Sequence, residues 1–122
     1  MNFKTNRLEI KPISPDDKEA VLDLLTSETV GKTYMLPDYR SRREAEPLFQ
    51  RLVALSADES RYVAGVYLDG QFIGMMNDTE IKGKQVEMGY AYLPDFYNRG
   101  YATEAVKTAI RELFSMGYRE VV

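Results

Sequence analysis

The sequence predicts a mixed α/β fold, and three observations carry that prediction. Two apolar stripes at helical spacing each open on a capping-box pattern, at Ser14 and at Ser41. Between Arg61 and Pro94 apolar and polar residues alternate in three runs separated by tight-turn signals. After Pro94 a glycine-containing turn opens a third apolar helix, and a β-prone run follows it.

In chain order, "RLEIKPI" (Arg7 to Ile13) alternates around Leu8 and Ile10 and predicts a strand. The stretch "SPDDKEAVLDLL" predicts a helix, with Ser14 as N-cap, Pro15 at the first helical position and Asp17 closing the box. Its apolar stripe is Ala20, Val21, Leu24 and Leu25. Ser27 to Ser41 reads as an irregular connection holding Gly31, Pro37 and two tyrosines, Tyr34 and Tyr39. Loops of that length carry function more often than not. Ser41 and Glu44 then cap a helix whose stripe is Ala45, Leu48, Phe49, Leu52 and Val53, with Pro47 near enough its start to be tolerated.

Asp69-Gly70 between two alternating runs is a hairpin signal, and Lys82 to Lys84 makes the next turn. "QVEMGYAYLP" completes a three-strand meander stopped by Pro94. The third helix carries Ala102, Ala105, Val106, Ala109, Ile110, Leu113 and Phe114 on one face, read as core packing, and Gly117 is placed at its C′ position. "YREVV" predicts one further strand. Residues 1–122 read as a single domain without internal repeat or low-complexity tract.

Composition narrows the chemistry. The 122 residues include 16 Lys and Arg against 19 Asp and Glu, a formal charge of −3, which argues against general nucleic-acid binding. There is no Cys and no His. Thiolate nucleophiles, disulfides, Cys–metal sites and histidine bases are therefore excluded, and no metal site is expected. A cysteine-free chain fits a reducing, cytoplasmic compartment. No apolar run is long enough for a membrane span, and the N-terminus lacks a signal-peptide apolar core.

"NRGYATEAV" (Asn98 to Val106) is the most informative stretch. A helix start leaves unmet N–H groups and a partial positive charge, and no strong capping side chain immediately precedes this one. A bound phosphate meets both needs. Gly100 lets backbone approach an anion, Ala102 keeps the turn slim, Asn98 tolerates left-handed angles, Arg99 brings charge and Thr103 a hydroxyl. A plain tight turn with water on the amides fits the same residues. The P-loop and Rossmann patterns are both absent.

The longer stretch "YAYLPDFYNRGYATEAV" resembles motif A of the GNAT superfamily of N-acetyltransferases, and "GYATEA" resembles its RimJ/RimL branch, which acetylates ribosomal-protein N-termini. Gly100 and Ala102 fill the last two defined positions of the motif. Tyr97 stands where the motif usually has Gln or Arg, and Asn98 where Gly is common. The order of elements follows the family across essentially the whole chain.

The resemblance implies a GNAT-like acyl-CoA N-acyltransferase fold, a mostly antiparallel central sheet flanked by helices, and acetyl-CoA as the acetyl donor. Its pyrophosphate is expected at Tyr97, Asn98, Arg99, Gly100, Tyr101, Ala102 and Thr103. Its pantetheine arm is expected along the backbone of Ala91, Tyr92 and Leu93, where an N–H can polarise the thioester carbonyl; an ordinary sheet edge or ladder fits the same residues. The amine acceptor, a protein N-terminus or a small molecule, is expected near Tyr34 and Tyr39, with Arg40 beside them. Glu87 is the first candidate base and otherwise a solvated carboxylate on the sheet face; Asp78 and Glu80 are weaker candidates. Glu104 is read as a partner of the helix dipole.

The family's fold continues with a helix and a strand pair beyond "YREVV", so the chain reads as C-terminally incomplete. Its open apolar edge is expected to take a second copy or a completing chain. The competing hypothesis is a non-catalytic remnant that binds CoA or a partner protein.

Overall fold

The computed structural model describes residues 1–30, 39 and 41–122. A six-stranded sheet runs in chain order: β1 (Phe3–Lys4), β2 (Leu8–Lys11), β3 (Ala64–Leu68), β4 (Gln71–Lys82), β5 (Gln85–Tyr92) and β6 (Glu120–Val121). Every neighbouring pair is antiparallel except β5 with β6. That exception follows from the crossover helix α3 (Tyr101–Ser115) between them.

Helices α1 (Lys18–Thr26) and α2 (Arg42–Ala57) cover one face of the sheet. Val21, Leu24, Leu25, Ala45 and Phe49 pack there on Tyr67, Phe72 and Met75. On the other face Ala105 and Ala109 of α3 pack on Ile10, Val66, Ile73, Met76 and Tyr92. The sheet is thus a middle layer between two apolar cores, which is the mixed α/β architecture expected from the sequence.

Local chemistry sets the element ends. Ser14 and Asp17 form a reciprocal capping box, but the turn they start is a short 3-10 segment, Pro15–Asp17, ahead of α1. Ser41 Oγ accepts from the Glu44 N–H, and α2 continues through Pro47. Asp69 and Gly70 both have positive φ, 50° and 81°, as a two-residue hairpin with primed geometry requires. Helix α3 ends in a Schellman motif: Gly117, at φ 103°, donates to the Phe114 carbonyl and Tyr118 to the Leu113 carbonyl.

Three differences from expectation stand out. Strand β1 carries no sequence signal of its own; two residues pair with Glu9 and Ile10. The strand read over Arg7 to Ile13 pairs only over Leu8–Lys11, because Pro12 supplies no N–H. On α3, Ala105, Ala109 and Leu113 are buried, whereas Phe114 is 48 % exposed and is not core.

Candidate functional site

The site is built where β5 hands over to α3. Leu93 leaves the strand, Pro94–Phe96 makes one 3-10 turn, and the Tyr97 N–H closes it on the Pro94 carbonyl. Asn98 and Gly100 then both take left-handed backbone angles, φ 61° and 81°. The next backbone bond of the segment runs from the Glu104 N–H to the Gly100 carbonyl. The N–H groups from Asn98 to Thr103 therefore find no acceptor among the described residues. Unmet donors on turns of this kind, at the positive end of a helix, make an anion-binding concavity.

These groups border an open cleft of about 380 Å³. Asn98, Gly100, Ala102 and Thr103 line it together with Tyr90, Tyr92, Tyr97, Tyr101 and Phe96. Gly74 stands opposite Tyr92 on β4, where any Cβ would lie 2.5 Å from the Tyr92 ring, so glycine is what lets that ring lie across the sheet.

The open edge of β5 leads away from this cleft. Leu93 donates to the Ile73 carbonyl on β4 at 2.9 Å, and Met88 donates to the Val122 carbonyl on the opposite side, also at 2.9 Å. Backbone groups alternate sides along a strand, so Tyr90 and Tyr92 direct theirs away from β4. The Ala91 groups and the Leu93 N–H point into the sheet, while the Leu93 carbonyl accepts from the Phe96 N–H. The Ala91 and Leu93 N–H groups, expected at a ligand, thus face β4.

An ion-paired cluster braces the start of α3. Arg7 Nε donates to Glu104 Oε1 at 2.7 Å, Arg7 Nη1 donates to the Arg99 carbonyl at 3.2 Å, and the guanidinium lies 4.6 Å from the Tyr101 ring centroid. Glu104 Oε2 accepts from the Arg7 backbone N–H and from the Thr5 hydroxyl. Burial pushes the Glu104 carboxyl up, but hydrogen bonds from Thr5 and Arg7 and the Arg7 charge outweigh it, and the group lies below its ordinary value.

Of the residues singled out in sequence, Tyr92, Tyr97, Asn98, Gly100, Tyr101, Ala102 and Thr103 come together in the cleft. Arg99 is exposed beside it, its carbonyl held by Arg7. Ala91 and Leu93 pack toward the α1–α2 core instead. Glu87 is exposed on β5 opposite Glu80 and does not line the cleft; five residues of strand, roughly 17 Å, separate it from Tyr92.

Asp78 is buried and held by Arg61, at 2.6 Å, and by the Tyr62 N–H, so it is a structural carboxylate and not a base. Tyr39 is half-buried against the α1–α2 core. Tyr34 and Arg40 lie outside the described residues. Sequence reading passed over Arg7, Thr5, Tyr90 and Phe96. Among the described residues no cluster of acidic side chains could hold a metal, and no helix is long and apolar enough to cross a membrane.

The model of a family described as "Acetyltransferase (GNAT) domain" matches residues 7–122. An uncharacterized N-acetyltransferase of Bacillus subtilis (strain 168), YoaA, is 24 % identical over 117 residues, covering 93 % of this chain and 66 % of the relative. The chain therefore spans just under two thirds of that relative's length. A GNAT-family acetyltransferase from Bacillus anthracis superposes with a TM-score of 0.78 at 22 % identity, over 94 % of this chain and 67 % of that one. A spermidine N-acetyltransferase from Vibrio cholerae, solved with CoA and spermine, superposes with a TM-score of 0.71 at 18 % identity, over 89 % and 64 %.

Proposed function

The chain belongs to the GNAT acetyltransferase family, and on that premise we propose that it transfers an acetyl group from acetyl-CoA to a primary amine by direct attack in a ternary complex. The observation that carries the reading is the run of unmet N–H groups from Asn98 to Thr103 at the tyrosine-lined cleft. Those donors suit a pyrophosphate, and the CoA-bound relative from Vibrio cholerae supports that ligand class. When bound, acetyl-CoA supplies the acyl carbon of a thioester.

The protein's own groups supply position and charge. The N–H groups of Asn98 to Thr103 hold the phosphates. Tyr90 turns its backbone groups to the side of β5 away from β4, where an N–H can draw electron density from a carbonyl. The incoming amine must arrive unprotonated. A protein α-amine, with a pKa of about 8, needs less help than a lysine amine near 10.4. Glu87 is the proposed base, acting through water at the far end of the β5 edge. The acceptor is an N-terminal or small-molecule amine, in keeping with the RimJ/RimL-like "GYATEA" turn and with the spermine-bound relative. Calorimetric titration with acetyl-CoA, followed by acetylation of a panel of amines, tests the reading. Absence of binding by the full chain overturns it.

A further inference from the structure

We infer that Arg7 is itself a ligand of the anion site, its guanidinium completing the cradle formed by the backbone of Asn98 to Thr103. The inference rests on the proposed use of that cradle for a pyrophosphate. Arg7 lies 97 residues from Glu104 in sequence, yet two of its three guanidinium nitrogens are committed to the start of α3: Nε to Glu104 and Nη1 to the Arg99 carbonyl. Stacking on Tyr101 fixes the plane of the group. Nη2 finds no acceptor among the described residues, and it stands 3.4 Å from where a Cβ on Gly100 would be. A guanidinium held at two corners, with its third corner beside the backbone that approaches the ligand, is arranged to donate to a phosphate oxygen.

The charges agree with this. Glu104 lies in the first turn of α3, and three donors from Thr5 and Arg7 occupy it, which offsets its charge beside the cradle. The Arg99 carbonyl, which would otherwise repel an anion, is tied back by Nη1. Arg7 thus removes two repulsions and adds one donor. A lysine at this position could not hold two partners and still offer a directed third bond.

The test uses the full chain with coenzyme A and with pantetheine, which shares the arm and lacks the phosphates. Arg7→Ala weakens coenzyme A binding about tenfold or more and leaves pantetheine binding unchanged. Arg7→Lys, which keeps the charge and serves as the check if the alanine variant unfolds, recovers only part of the loss. In the wild type labelled with nitrogen-15, the Arg7 Nη2 protons become resolved on adding coenzyme A and not on adding pantetheine, a change that a merely bracing role would not produce. Equal coenzyme A affinity in wild type and Arg7→Lys, or unchanged Arg7 side-chain resonances in the saturated wild type, overturns the inference while leaving the cradle in place. A wild type that does not bind coenzyme A overturns the cradle and this inference with it.

Discussion

Replacing Gly100 separates two demands that the structure places on one residue. Its φ of 81° is left-handed, and it lines the cleft where the ligand is proposed to lie. Alanine meets neither demand. The left-handed backbone costs an ordinary L-residue about 1–2 kcal/mol, so Gly100→Ala should lose that much stability, equivalent to several degrees in Tm for a domain of this size. Asparagine tolerates the left-handed region, so Gly100→Asn should lose only a few tenths of that amount. Both variants place a Cβ 3.4 Å from Arg7 Nη2, on a residue that lines the cleft. Loss of one or more bonds to a charged ligand costs about 1.5–3 kcal/mol, roughly 10- to 150-fold in affinity. Thermal unfolding and calorimetric titration with coenzyme A, made on the same preparations, read the two effects apart. A Gly100→Asn protein that binds coenzyme A like the wild type would show that glycine is needed only for its backbone angle, and the close-approach argument would fail.

Other expectations follow from the same contacts. Arg99→Ala should weaken coenzyme A binding by about 1 kcal/mol, because the side chain is exposed and solvent screens it; an unchanged titration removes Arg99 from the site. Glu87→Gln should lower turnover near neutral pH and leave acetyl-CoA affinity intact, and full activity from pH 6 to 9 would return Glu87 to a solvated carboxylate. Asp78→Asn should destabilise the fold by about 1–2 kcal/mol, because the buried side chain loses charge-assisted bonds from Arg61 and the Tyr62 N–H, and chemical denaturation measures the loss. The Glu104 carboxyl is depressed in the folded state, so its contribution is complete above the ordinary carboxylate range and disappears as pH falls through the depressed value. Denaturation between pH 6 and 3 should show that acid-side slope, and it should flatten in Glu104→Gln.

Legibility followed the range of the interaction. Ser14, Ser41, Asp69-Gly70 and Gly117 act within a few residues, and each marks a real boundary. The turn from Asn98 to Ala102 was readable for the same reason, since glycine and asparagine stand at its two left-handed positions. Contacts between distant residues left no such trace. Nothing near Arg7 announces a partner at Glu104, and nothing near Asp78 announces Arg61. The family resemblance implies a ligand along the backbone of Ala91, Tyr92 and Leu93, but the direction of each backbone group depends on which neighbour the strand pairs with, and that is not written in the sequence. Phe114 fits the helical stripe, yet it is half exposed, while its neighbour Leu113 takes the buried face at that end of α3.

The central claim is that the unmet N–H groups from Asn98 to Thr103 are the phosphate-binding groups of the protein. Amide nitrogen-15 spectra recorded during titration with acetyl-CoA test it directly. The account predicts that the amide resonances of Asn98 to Thr103 show the largest shifts, saturate with the calorimetric Kd, and hardly move with pantetheine alone. Saturable binding that leaves those amides unshifted would contradict it.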